Sequence, residues 1–459
     1  MIFNKSMKLE YLFENKCATE LFDRFLPGMR AVVEGNSQAL KLSVEQFVMY
    51  SKLPDGEVLL ETLDKELKKL NTPENKISPS EAKQIEAFRE IARSETDEEG
   101  TTHYQDAVYP GQPWLDTKGK RIQAHGGAMY YEDGVYYWYG ENKQYTDGKN
   151  GVWTWGIKVY SSKDLCNWED EGYIIPPVLD DPDSPLFPAR RIDRPHILKC
   201  PKTGKYVCWI KLSGPEAAFT VWQANHLCGP YEMIEDYYNP GGHKVGDFDL
   251  IADEKTGKGY LYFDADHKSM LCMELSEDYL HAEKELARNY PDLHPPFTRE
   301  APALFEYDGM KYMLTSGMTG YIPNRSDAAV SEDWGKVFKS IGDPHVSDSS
   351  CASFNSQISK VFQVEGTEGL FIAMADRWVP GYHVNAEIAD LFTRVIAENY
   401  DPEHYSASDE ERQDMYKANV LENADTSIAD YVWLPFRVTD GRVRIAWMDR
   451  WNLTEFGKE

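Results

Sequence analysis

The chain has 459 residues, 42% of them hydrophobic and 13% aromatic, with a net charge of −27. That length favours two domains with a sizeable core, and that charge repels nucleic acid and anionic membrane surfaces. Seven cysteines (Cys17, Cys166, Cys200, Cys208, Cys228, Cys272 and Cys351) form an odd set without a C-x-x-C pair, which argues against a disulfide framework or a zinc ribbon and for a reducing compartment.

Residues 1–100 read as a helical domain. Ser43 and Gln46 make a capping box. Leu59, Leu60, Leu63, Leu67 and Leu70 recur at helical spacing. Ser78, Pro79 and Glu81 form a second helix start, continued by Ile85, Phe88 and Ile91. The acidic run 95–100 reads as a linker or a solvated face. Nothing here suggests chemistry, so packing or homo-oligomerisation is the expected role. Met1 to Glu10 has no apolar leader segment, and no run approaches the ~18 apolar residues of a membrane span. The expected location is cytoplasmic.

From residue 105 to 459 the character is β. Short apolar runs flank turn pairs at Asp133-Gly134, Thr203-Gly204, Thr256-Gly257, Asp308-Gly309 and Gly366 to Gly369, each a hairpin signal. The last four units begin at Arg194, Asp247, Glu300 and Phe354, spaced 53, 53 and 54 residues apart. Periods near 50 residues mark propeller blades. The fold class is therefore an all-β five-bladed β-propeller with an N-terminal α-helical domain, and Val432 to Trp447 is expected to complete the last blade. A β-sandwich, the competing architecture, does not produce such even periods.

Innermost strands of a propeller line its channel, so the blade starts converge. Asp247 and Glu300 stand at two of them, and Glu141 ends the first inner hairpin. Carboxylates inside apolar strand sequence are costly to bury without a purpose. Glycosidic cleavage uses two carboxyls flanking the bond. Composition alone leaves Asp249 as plausible as Asp247, lets Arg194 pair only with Asp193, and lets Glu141 be solvated. The repeat register groups Asp247, Glu300 and Gln357, at intervals of 53 and 57 residues.

Several segments resemble glycoside hydrolase family 43, in its exo-β-1,3-galactanase-like branch. They are Gln123 to Gly127, Tyr136 to Glu141, Val159 to Trp168, Arg194-Pro195, Asp247, Glu300 to Phe305, Thr315 to Gly320, Pro323-Asn324, Ser356-Gln357 and Trp433 to Pro435. The resemblance spans residues 105–455 and implies an inverting hydrolase that releases β-linked galactose one residue at a time from β-1,3-galactan-type oligosaccharides. It implies Glu300 as general acid and Asp247 as the auxiliary that raises its pKa. The family's usual first-blade Asp base is replaced by Gly126-Gly127-Ala128. Gln357 and Glu141 match the water's side, and which of them is the base stays open. Tyr160, Thr319, Arg194, His125 and Trp155 are implied substrate-binding residues. No cofactor is required and no metal ligand is assigned. A structural calcium or sodium ion in the channel, near His196 or His243, is left open. A long insertion, residues 169–191, is expected to delay the second blade. An α-L-arabinofuranosidase or β-xylosidase of the same fold, or a non-catalytic sugar-binding propeller, are the alternatives.

Overall fold

The structure is a computed structural model that describes residues 3–72, 77–95, 101–214, 216–417 and 424–457. The chain divides into two compact units: Met1–Asp97 with Val178–Phe187, and Glu98–Pro177 with Pro188–Glu459.

The first unit is helical. The sequence-predicted capping box is closed, with Ser43 and Gln46 exchanging hydrogen bonds of 2.9 and 3.1 Å at the start of Val44–Tyr50, and the second sequence-predicted helix start closes one too, with Ser78 and Glu81 exchanging hydrogen bonds of 2.8 and 3.2 Å at the start of Pro79–Ser94. Each box satisfies amide donors that the first helical turn leaves orphaned. Along Gly56–Lys68, Leu60, Leu63 and Leu67 are buried against Phe22 and Phe47. Phe88 meets Phe187 at 5.2 Å between ring centroids, so part of the sequence-predicted insertion belongs to the core of this unit. Most of the acidic run lies outside the described residues.

The second unit is a five-bladed propeller. Blades one to four are antiparallel four-stranded sheets that begin at His125, Ile192, Val245 and Arg299. Blade five starts at Gln357–Gln363 and Phe371–Arg377, and its outer strands are Leu434–Thr439 and Arg442–Ala446, from the sequence-predicted final hairpin. The five innermost strands neighbour one another around a closed ring, with blade five against blade one.

Two expectations need correction. Glu169–Ile175 is not insertion but the fourth strand of blade one, paired with Ile157–Ser162. The inserted stretch is therefore 176–191. The final blade is also not sheet alone. Helices Ala386–Glu398 and Asp409–Lys417 interrupt it, the first capped by Asn385. Phe392, Val395 and Met415 from this pair cluster with Ile322, Ala352 and Val384. The helical spacing of Phe392 and Val395 carries the signal, which a search for β-hairpins passes over.

At each blade start the first strand pair slips register: between His125 and Ala128, Asp193 and His196, Glu300 and Ala303, Ile358 and Lys360, and opposite Phe263 to Ala265 in blade three. Such bulges bend a strand and re-aim its side chains. Three of them place a residue in the left-handed region, Gly126 at φ 57°, Arg194 at 52° and Ala301 at 49°. For Arg194 and Ala301 this is local strain held by the surrounding sheet.

Deeper on the axis, Lys360 Nζ lies 2.6 Å from Asp249 Oδ1 and donates to Leu250 O at 3.2 Å. His196 Nδ1 is 3.1 Å from the same carboxylate, which also accepts Leu304 N at 2.8 Å. Blades two to five thus meet on one buried carboxylate. Burial alone would raise Asp249, but Lys360 and His196 hold it below the usual range. Lys360→Met is expected to cost about 3–5 kcal/mol by stranding that charge. Thermal unfolding should show a lowered midpoint, partly restored in Lys360→Met/Asp249→Asn; an unchanged midpoint in the single variant would refute the account.

Candidate active site

The bulged blade starts and the ends of the second strands surround one cleft of about 210 Å³, lined by Glu141, Lys143, Trp153, Asp193, Arg194, Lys211, Ser213, Asp247, Glu300, Gly320, Tyr321, Gln357 and Trp378. All four sequence-proposed catalytic residues line it, as does Arg194. Asp249 does not; its axial pairing separates it from Asp247.

The charged groups alternate around the floor. Lys143 Nζ is 2.7 Å from Glu141 Oε2 and 3.7 Å from Asp193 Oδ1. Lys211 Nζ is 3.6 Å from Asp193 Oδ2 and 2.5 Å from Asp247 Oδ1. Arg194 Nε is 2.8 Å from Asp247 Oδ2, and the Arg194 amide donates to Glu141 Oε1 at 2.8 Å. Arg194 Nη2 donates to Gln357 Oε1 at 2.6 Å, and Gln357 Nε2 donates to Glu300 Oε1 at 3.0 Å. Three carboxylates therefore have three cations. Glu300 is the fourth carboxyl of the cleft, and no cation lies within ion-pair distance of it among the described residues.

That difference sets the proton affinities. Burial, with the neighbouring Asp247 charge, pushes Glu300 up to about 8. Burial alone would also raise Asp247, but Arg194 and Lys211 hold it at about 2. Glu141 is lifted to about 7, chiefly by burial and against the pull of Lys143. At neutral pH Glu300 carries a proton beside an ionised Asp247, the pairing that separates an acid from its tuning group.

Glycine is required on the water's side. A Cβ on Gly126 would lie 2.4 Å from Glu141 Oε1, and one on Gly127 would lie 1.7 Å from Tyr139 O. The Glu141 carboxylate thus covers the backbone where a first-blade side chain would project. One wall of the cleft is aromatic: Trp153 and Tyr321 have ring centroids 6.3 Å apart, and Tyr321 and Trp378 5.6 Å.

The other four implied substrate-binding residues stand behind this surface. Tyr160 is buried against Trp138, its hydroxyl accepting Gln123 N at 3.1 Å. Trp155 packs edge-on against Tyr145, while Trp153, two residues earlier, faces the cleft. Thr319 donates to Ile322 O at 2.6 Å and ties the loop that presents Tyr321. His125 is enclosed by Asp376 at 2.9 Å and by Tyr431, stacked at 4.6 Å. Lys143, Asp193, Lys211, Trp153, Tyr321 and Trp378 were missed. Lys211, inside the apolar strand Tyr206–Leu212, carries the same signal of a charge in an apolar run that marked the carboxylates.

Neither histidine left open for a channel ion stands in a cluster of metal-ligating side chains among the described residues. Among the described residues no group of three or more His, Cys, Asp or Glu is placed to hold a metal. The axial carboxylate Asp249 already has an ammonium, and His243 pairs with Asp266 at 2.7 Å.

The family profile of glycosyl hydrolases family 43 matches residues 123–399. The chain belongs to that family. Its fold is similar to that of a family-43 β-1,3-galactosidase, BT0265, with 28% identity, a TM-score of 0.61, and coverage of 76% of this chain and 64% of that one. A second β-1,3-galactosidase, BT3683, solved with galactodeoxynojirimycin, is 25% identical with a TM-score of 0.59 over 75% of this chain and 100% of that one. An exo-β-1,3-galactanase from Phanerochaete chrysosporium shares the fold at 20% identity, with a TM-score of 0.59 over 76% of this chain and 68% of that one. This chain spans less than two thirds of BT0265. Among curated protein sequences none matches it.

Because the Asp247 charge helps to keep Glu300 protonated, Asp247→Asn should lower the Glu300 pKa by about one unit or more. Activity that needs protonated Glu300 is lost as pH rises through that pKa, so the alkaline limb of the pH profile should move to lower pH. A limb that stays in place would contradict the coupling.

Proposed function

We propose that the protein is an inverting, exo-acting glycoside hydrolase that releases β-linked galactose from short β-1,3-galactan-type oligosaccharides. The observation that carries the reading is the lone uncompensated carboxyl: Glu300 is buried beside ionised Asp247, lacks a cation and holds its proton near neutral pH. Glu300 gives that proton to the leaving oxygen as the C1–O bond breaks. A water attacks C1 from the opposite face and loses a proton to the group on its side, Glu141 or Gln357. Arg194 and Gln357 stand between the Glu141 and Glu300 carboxyls. Inversion needs room for a water between these two carboxyls.

Galactose is supported by the likeness to the two β-1,3-galactosidases, one of them solved with galactodeoxynojirimycin. The aromatic wall offers faces for sugar C–H surfaces. Cytoplasmic action on imported oligosaccharides is supported by seven cysteines that are all unpaired.

Glu300→Gln should lower turnover of β-1,3-galactobiose by at least ~10², the scale of acid–base catalysis, and affect activated aryl galactosides far less. Proton NMR of the first product from wild-type enzyme should show α-galactose. Wild-type rates in the variant, or β-galactose as first product, would refute the mechanism. Binding without turnover would favour the sugar-binding alternative.

A further inference from the structure

After the inserted stretch the chain rejoins the propeller unit at Pro188 and leads through Arg190 and Arg191 into the cleft residue Asp193. The Pro188 carbonyl accepts Trp153 N at 2.7 Å, and the Arg191 carbonyl accepts Ser213 N at 2.7 Å. This entry is thus tied to two residues that line the cleft. The Arg190 side chain pairs with Glu216 at 2.5 Å. The Arg191 side chain has no ion pair and no hydrogen bond among the described residues, and its Cζ stands 4.7 Å from the centroid of the Trp153 ring.

Trp153 is itself fixed in place. Its Nε1 donates to Asp193 Oδ1 at 2.7 Å, and Lys143 Nζ lies 5.1 Å from its ring centroid. A guanidinium over an indole is held by the ring while its N–H groups stay free to donate. Tyr321, whose ring is 6.3 Å from that of Trp153, offers a second free group. It lines the cleft, and its hydroxyl has no hydrogen-bond partner among the described residues. Burial, with the Asp193 and Glu141 charges, pushes this phenol well above its usual range, and Arg191 pulls the other way. The phenol therefore keeps its proton at neutral pH and can donate it in a hydrogen bond.

The cleft has no internal need for this further cation. Lys143, Lys211 and Arg194 already offset Glu141, Asp193 and Asp247, and Glu300 holds its proton. Arg191 is surplus positive charge beside the aromatic wall of a chain whose net charge is −27. Such a chain repels anions broadly, so a local surplus gathers them at one spot. Neutral sugar hydroxyls need no cation, whereas a carboxylate or sulfate gains parallel charge-assisted hydrogen bonds from a guanidinium fork.

Building on the hydrolase reading above, we propose that Arg191 and the Tyr321 hydroxyl form an anion subsite at the edge of the cleft, which takes a carboxylate or sulfate group carried on the galactoside. The end of the inserted stretch then selects acidic oligosaccharides over neutral ones.

The test uses the full chain and β-1,3-galactobiose carrying, at O6 of either ring, a sulfate, a glucuronosyl group or a neutral galactosyl group. The readout is the ratio of kcat/KM for each acidic compound to that for its neutral counterpart. Wild-type enzyme should favour at least one acidic compound, and Arg191→Gln should lower that ratio about tenfold or more. Tyr321→Phe should lower it in the same direction. A fall confined to the sulfates, or to the glucuronosyl compounds, identifies the anion. Arg191→Lys keeps the charge and loses the fork, so its ratio should fall part of the way; this variant decides the matter where Arg191→Gln fails to fold. The proposal is overturned if wild-type enzyme favours the neutral compound at both positions, or if the Arg191 variants keep the wild-type ratio for both anions. A wild-type protein that binds acidic galactobioses through Arg191 without cleaving them would instead sink the hydrolase reading and leave the subsite standing.

Discussion

The site depends on charge compensation in a place where water cannot supply it. Four carboxyls and three cations crowd one cleft, and each ion taken out of water carries a penalty of several kcal/mol unless it is paired. Glu141, Asp193 and Asp247 are held by Lys143, Lys211 and Arg194 in alternating order. The fourth carboxyl, Glu300, is left to keep its proton. Acid character here is a consequence of arithmetic over the whole ring of charges, and removing any cation would redistribute it.

The propeller makes that arithmetic possible. Each blade delivers its first strand to the axis, and the bulge at its start turns one or two side chains out of the regular alternation and into the cleft. Below the bulges, the strands return to ordinary pairing and are pinned through Asp249, Lys360 and His196. The rigid ring then sets distances that loops could not hold, which suits a mechanism needing acid and base on opposite sides of one bond.

Much of this was legible in the sequence. Blade period follows from hairpin spacing, because each hairpin announces itself through local turn chemistry. Glu300, Asp247 and Glu141 stood out as charges in apolar strands. The partners were harder to read, since pairing is set by the ring and not by neighbours in sequence: Arg194 adjoins Asp193 yet makes its ion pair with Asp247. Tyr160 and Trp155 show the converse, since both are buried behind the cleft. Aromatic residues beside a site serve the core as readily as the substrate, and only the path of the backbone separates Trp155 from Trp153. The helices Ala386–Glu398 and Asp409–Lys417 were hidden because the regular blade period ends before them and nothing later in the chain repeats it.

Glu300, the one cleft carboxyl without a cation among the described residues, holds its proton at neutral pH more firmly than the other three. Carbon-13 NMR of protein labelled at the glutamate side-chain carboxyls reads this directly. Two resonances should titrate above the ordinary range, near pH 7 for Glu141 and near pH 8 for Glu300, and the higher one should be missing from the Glu300→Gln spectrum. If every glutamate resonance instead titrates in the ordinary range near pH 4.3, Glu300 is ionised at neutral pH and the account of the site is wrong.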